Sequence, residues 1–207
     1  MKKLTQYINK ALHLFEVMRI KTKEKVVYLT FDDGPEEGIT EFVLDELTKY
    51  DFKATFFCRG DNAVRSPVLL ERIKSEGHAV GNHTYSHIKG FDTPSGHYVE
   101  DVNRANEVLK THLFRPPWGA VTLSQFLKLK RHYKIIYWSL MSGDTEGDKF
   151  VPEKAFNKLK NKTQKGDVVL FHFCKKHENE TKQILPVYLQ WLNDNGYISR
   201  AIEQKIN

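Results

Sequence analysis

Five short stretches of this chain carry residue types that bind metal ions and move protons. Asp32 and Asp33 stand side by side ahead of Gly34-Pro35. Successive side chains leaving a strand diverge and the turn then redirects the chain, so one carboxylate can bind a metal while its neighbour faces substrate. An ordinary polar turn has the same composition, so the pair carries little weight alone. His83 and His87 lie four residues apart in His83-Thr84-Tyr85-Ser86-His87. On a helical turn that spacing puts both imidazoles on one face, where they offer two ligands to one divalent ion. Asp33 as an oxygen donor completes a set of two histidines and one carboxylate, which leaves coordination positions open for water and substrate.

His172 ends the apolar run Val168-Val169-Leu170-Phe171. A ring there is either a hydrogen-bonded core group or an acid/base at a rim. Arg115 opens the rigid loop Arg115-Pro116-Pro117-Trp118-Gly119, where a guanidinium either orients a carboxylate or makes a surface ion pair. Asp144 follows a further apolar stretch.

The elements that must position these groups alternate in period. Val26 to Phe31 reads as a buried strand running into the Asp32 loop, and Ala54 to Cys58, His78 to Gly81, Leu113 to Arg115, Lys134 to Ser139 and Asp167 to Phe173 as further strands. Between them lie helices marked by Val43, Leu47 and Tyr50; by Ser66-Pro67 with Gly77 as the stop; by Tyr98, Val102, Ala105 and Leu109; by a Thr122/Gln125 capping box; by Pro152 to about Thr163; and by Glu180 to Asn195. Such alternation indicates a parallel sheet, open or closed into a barrel. Chemistry in those folds sits at the C-terminal ends of the strands, where all the residues named above fall.

The 207 residues are long enough for one domain, read here as residues 1–207, with residues 1–25 a helix (Leu4 to Phe15) and a basic lead-in. At 40% hydrophobic and 28% charged residues the chain belongs with soluble globular proteins rather than disordered or membrane ones. Its net charge of +6 comes from the two ends, while residues 26–151 are slightly acidic, so a nucleic-acid partner is not expected. Polar residues interrupt any signal-peptide core near the N-terminus, and no apolar run approaches the roughly 18–20 residues of a membrane span. The corresponding expectation is a cytoplasmic or membrane-peripheral protein; the oligomeric state is left open. Cys58 and Cys174 read as buried free thiols.

Taken together, in order, the five stretches resemble the polysaccharide deacetylases, the NodB-homology carbohydrate esterases. Thr30-Phe31-Asp32-Asp33-Gly34-Pro35 resembles the family's first block, whose first aspartate is the base and second a metal ligand. His83 to His87 is similar to the second block, and Arg115 to Gly119 to the third, where the arginine steadies the base and the backbone N–H at Trp118 serves the oxyanion. Trp138 to Asp144 resembles the fourth, with Met141 where many members have another acid. Leu170-Phe171-His172 resembles the fifth, whose histidine is the general acid, with Phe173 where Asp is more frequent.

The resemblance implies a distorted, incomplete (β/α) barrel of seven or eight strands. It also implies hydrolysis of an acetamide on an acetylated carbohydrate of the N-acetylglucosamine type. The ligands are then Asp33, His83 and His87, holding a divalent ion, zinc before Co2+, Ni2+ or Mn2+. The remaining roles fall to Asp32 as base, His172 as acid with Asp144 as its partner, Arg115, and Trp118. Two alternatives accompany it: a relative acting on O-acetyl esters or cyclic imides, and a barrel that binds metal and carbohydrate with weakened turnover. Among the remaining histidines, His13, His78, His97, His112, His132 and His177 are expected away from the rim.

Overall fold

The computed structural model describes residues 18–204, so the helix expected over residues 4–15 and His13 lie outside it. The strands are β1 (Val26–Asp32), β2 (Ala54–Cys58), β3 (Ala79–Asn82), β4 (Leu113–Phe114), β5 (Lys134–Ile135), β6 (Leu140–Met141), β7 (Val168–His172) and β8 (Ile198–Ser199). The helices are α1 (Ile39–Thr48), α2 (Gly60–Arg65), α3 (Pro67–Ser75), α4 (Ser95–Leu109), α5 (Leu123–Leu129), α6 (Pro152–Lys162) and α7 (Glu178–Asp194). All the named strands pair in parallel in the order β5-β4-β3-β2-β1-β7-β6, with β8 added to the start of β1. The result is a curled half-barrel wrapped by helices.

Strand periodicity explains which residues reach the inside. On β1, Phe31 points to the helices, stacked 5.1 Å from Phe56 and tilted 5.6 Å from Phe171. Burial of each such ring contributes about 1.5–3 kcal/mol. The alternate positions Thr30 and Asp32 point the other way, as do Phe57 on β2 and Leu170 and His172 on β7. Register then does the rest: Asp32 lies directly across from His172, and Asn82 at the end of β3 pairs with Phe114, just before Arg115.

One expected strand is cut short. Lys134 to Ser139 was to run continuously, but only Lys134–Ile135 pairs with β4, and pairing resumes at Leu140–Met141 on β7. The intervening carbonyls of Ile136 and Tyr137 turn instead to Arg115, at 3.2 and 2.9 Å. That is where the barrel is incomplete. The short helix α2 and strand β8 carry no periodicity long enough to have been read beforehand. Among the described residues no helix is long and apolar enough to cross a membrane.

Candidate active site

The strand ends converge on a cavity of about 490 Å³ lined by Asp32, Asp33, His83, His87, Trp118 and His172, among others. Asp33 leaves β1 with φ 84°, a left-handed turn pinned by Asn62 Nδ2 donating to its carbonyl at 2.7 Å. The two neighbouring carboxylates therefore diverge. Asp33 Oδ1 faces His87 Nε2 at 2.9 Å and His83 Nε2 at 3.4 Å, whereas Asp32 Oδ1 accepts from Arg115 Nη1 at 2.7 Å.

His83 and His87 do not share a helical turn, as their spacing led us to expect. They sit in a loop with Thr84 and His87 at left-handed φ of 65° and 57°. The loop N–H groups that would have entered a helix find side chains instead: Thr84 N–H donates to Asn82 Oδ1 at 2.8 Å, and Tyr85 and Ser86 N–H donate to Asp101 Oδ1 at 2.8 and 3.1 Å. Asp101 Oδ2 also accepts from Ser86 Oγ at 2.7 Å. The local Asn82 bond and the long-range Asp101 bonds together compete with the helix and win here.

The donor set fits a divalent cation. One ligand atom from each of Asp33, His83 and His87 lies within 4.8 Å of the other two. His83 Nδ1 lies 2.8 Å from the Arg115 carbonyl, an acceptor only, so that nitrogen carries the proton. In a neutral ring Nε2 then presents a lone pair towards a carboxylate oxygen. Among the described residues Asp33 Oδ1 is buried without a hydrogen bond. Burial opposes its ionisation, and it is donating, protonated imidazoles, or a cation in place of their protons, that would hold its carboxyl below the usual range. A buried carboxylate oxygen without a donor, faced by an imidazole lone pair, needs positive charge beside it.

Arg115 is fully buried, and each of its three side-chain nitrogens donates to an acceptor. Besides Asp32 and the two carbonyls already named, Nη1 donates to Thr30 Oγ1 at 2.9 Å, and the guanidinium stacks 4.1 Å from the Phe57 ring. Burial lowers its pKa, with Asp32 opposing. It is a buried orienter of Asp32, and the surface ion-pair alternative does not hold. Asp32 Oδ2 is left facing the cluster, 3.8 Å from His83 Nε2.

Across the β1–β7 register, His172 Nδ1 bonds Asp144 Oδ1 at 3.0 Å, and its backbone N–H donates to Asp144 Oδ2 at 2.6 Å. Thr181 Oγ1 from α7 donates to Asp144 Oδ2 at 3.1 Å, and Ser142 Oγ accepts from Asp144 N–H at 3.2 Å. Burial opposes protonation of His172, but Asp144, and then Asp32 and Asp33, push it up to about 9. Burial likewise opposes charge on Asp144, and His172 outweighs it, so that carboxyl sits low. The pair is therefore an imidazolium held by a carboxylate at neutral pH, with Nε2 the nitrogen not engaged by Asp144. Phe173 alternates to the opposite face, buried 5.1 Å edge-on to Phe56, and takes no part in tuning His172. Met141 lines the cavity without charge.

Trp118 has φ 54° and is 58% exposed, its ring 4.3 Å from that of His87. Both cysteines are buried free thiols. Cys174 lines the cavity, where burial and then Asp33 and Glu36 push its thiol up to about 12.

One histidine was misplaced by sequence reasoning. His177, expected away from the rim, lines the same cavity with its ring 5.3 Å from that of His172. The turn Lys175–His177 doubles back over the end of β7, and no local pattern announces it. His78 does stay away: it precedes β3, at the other end of the strand, where its Nδ1 accepts from Ala54 N–H at 3.1 Å. Asp101, Asn82, Thr30 and Thr181 were also not singled out as supports. Asn82 and Thr30 adjoin the motif residues and could have been; Asp101 and Thr181 sit on helices and arrive only through packing.

Comparison with known proteins places these observations in context. A family model described as polysaccharide deacetylase matches residues 19–134. A peptidoglycan-N-acetylglucosamine deacetylase of Bacillus cereus is 30% identical over 184 residues, 86% of each chain. A peptidoglycan-N-acetylmuramic acid deacetylase of Bacillus subtilis is 29% identical, over 88% of this chain and 72% of that one. Among solved structures, a peptidoglycan N-acetylglucosamine deacetylase in complex with a naphthalenyl-substituted N-oxidanyl-benzamide superposes with a TM-score of 0.85. It is 27% identical, over 92% of each chain.

Proposed function

The chain belongs to the polysaccharide deacetylase family, and from that premise we propose that it hydrolyses the N-acetyl group of an amino-sugar glycan of the peptidoglycan type. The observation that carries this reading is the placement of Asp32 and His172 in register on adjacent strands, beside a buried carboxylate and two imidazoles that need a cation.

An acetamide is a poor electrophile with a poor leaving group, so its hydrolysis needs a polarised carbonyl, an activated water and a proton for nitrogen. Asp33, His83 and His87 would hold a divalent ion, for which zinc is our choice because a nitrogen-rich set with open positions suits it. Such an ion supplies Lewis-acid charge to the carbonyl oxygen and makes water more acidic.

The chain's own residues do the rest. Arg115 occupies Asp32 Oδ1 and leaves Oδ2 towards the cluster to take a proton from the attacking water. Asp144 occupies His172 Nδ1, so the proton given to the departing nitrogen comes from Nε2. The Trp118 N–H, on a left-handed residue at the cavity wall, is our candidate donor to the developing oxyanion. Neither departure from the family pattern favours a turnover-dead binder, since Phe173 is a core residue and Asp144 already engages His172.

The test is acetate release across a panel of N-acetylglucosamine oligomers, peptidoglycan fragments and O-acetylated xylan. We expect release from the first two, lost on chelation and restored by zinc. Release from xylan alone would move the reading to ester hydrolysis. No release from any would favour the binding barrel.

A further inference from the structure

His177 is a buried polar ring that the proposed chemistry leaves unused. It is only 9% exposed, and it lies in the wall of the catalytic cavity with its ring set edge-to-face against His172, at 5.3 Å and 62°. Its backbone is fixed: the N–H donates to the Cys174 carbonyl at 3.1 Å, and the residue stands at the N-cap of α7. Its ring nitrogens, in contrast, hydrogen-bond no protein group among the described residues. They are not among the buried polar atoms left without a partner, so they open onto the cavity whose wall the ring forms. Polar groups that face a cavity in this way orient the ligand it takes.

From this placement we infer that His177 is a substrate-contacting residue whose imidazole hydrogen-bonds a sugar hydroxyl on the carbon next to the one bearing the acetamido group. The inference rests on the deacetylase reading. His172 delivers a proton to the amide nitrogen, so a group within reach of the adjoining His177 ring must be a near neighbour of that nitrogen. On an amino sugar the nearest such neighbours are oxygens on the adjacent carbons. A neutral imidazole offers one donor and one acceptor, which matches a hydroxyl, itself both donor and acceptor. The ring is kept neutral by burial first and by the charge of His172 next; Lys176 acts in the same direction, and Asp144 and Asp33 oppose. A site that hydrogen-bonds a hydroxyl in this way rejects analogues that lack it.

The rival role is packing alone, in which the His177 ring merely steadies His172. A phenylalanine would serve that purpose equally well, and the experiment uses this difference. His177→Phe and His177→Gln are compared with wild type on an N-acetylglucosamine oligosaccharide and on phenyl acetate, which has an acyl group but no sugar. Zinc content and thermal melting are checked for each variant. We expect His177→Phe to lose roughly tenfold in kcat/KM on the oligosaccharide, chiefly through KM, and to stay within about twofold on phenyl acetate. His177→Gln, which keeps a donor and an acceptor but no ring, should retain most of the oligosaccharide activity.

Wild-type behaviour of His177→Phe on the oligosaccharide would overturn the inference. So would equal losses on both substrates, which would mean that the ring acts through His172. Wild-type protein that releases acetate from no glycan would instead overturn the deacetylase reading, and the assignment of His177 would fall with it.

Discussion

At the scale of single residues, the account turns on environments that drive neighbouring groups to opposite tasks. His172 is raised because Asp144, Asp32 and Asp33 surround it, and an acid catalyst must be protonated to work. Its rate contribution is therefore full below its pKa and falls tenfold per unit above it. A pH profile of kcat/KM should show an alkaline limb at or below about 9, since a cation on Asp33 offsets that carboxylate's share of the shift. Asp144→Asn removes the largest of the charges that raise His172 and should move this limb towards neutral pH while leaving zinc content unchanged. An unmoved limb would mean that another group sets it. His172→Ala should cost far more on an acetamide, roughly 10²–10⁴-fold, than on an aryl acetate whose leaving group needs no proton. Equal loss on the two substrates would remove His172 from the acid role.

At the scale of elements, the alternation of strands and helices was legible because each inward residue is followed by one that faces the helices, as Thr30, Phe31 and Asp32 illustrate. The site was legible for the same reason: strand ends collect the polar residues. The helical turn at His83 to His87 was misread because four-residue spacing permits a helix but does not require one. Asn82 captures the Thr84 N–H from within the same stretch, and Asp101 captures those of Tyr85 and Ser86 from α4, a tertiary contact. The break after Ile135 was hidden likewise, since Arg115 claims carbonyls that an unbroken strand would have spent on its neighbour. This view makes Asp101 a remote determinant of the cation site. Asp101→Ala, which touches no proposed ligand, should weaken zinc binding by roughly 10–100-fold, as loss of outer supports does. Unchanged affinity in a competitive chelator titration would show that the loop holds itself.

At the scale of the whole molecule, the half-barrel brings together groups from β1, β3, β4, β7 and the segment after β6, which are spread over some two-thirds of the chain. No one segment contains the site, so metal affinity and folding are linked. Zinc at about 100 times its Kd should stabilise the fold by about 2.7 kcal/mol and raise the melting temperature accordingly. A melt indifferent to zinc would contradict that linkage. The central claim is narrower: two adjacent carboxylates, turned apart by the left-handed backbone of Asp33, perform different tasks. The most direct test measures bound zinc and acetate release together in Asp32→Asn and Asp33→Asn. The account predicts that Asp32→Asn keeps its zinc and loses roughly 10²–10⁴-fold in turnover, whereas Asp33→Asn loses the metal itself. Equal zinc loss in the two variants, or full zinc with undiminished turnover in Asp32→Asn, would contradict it.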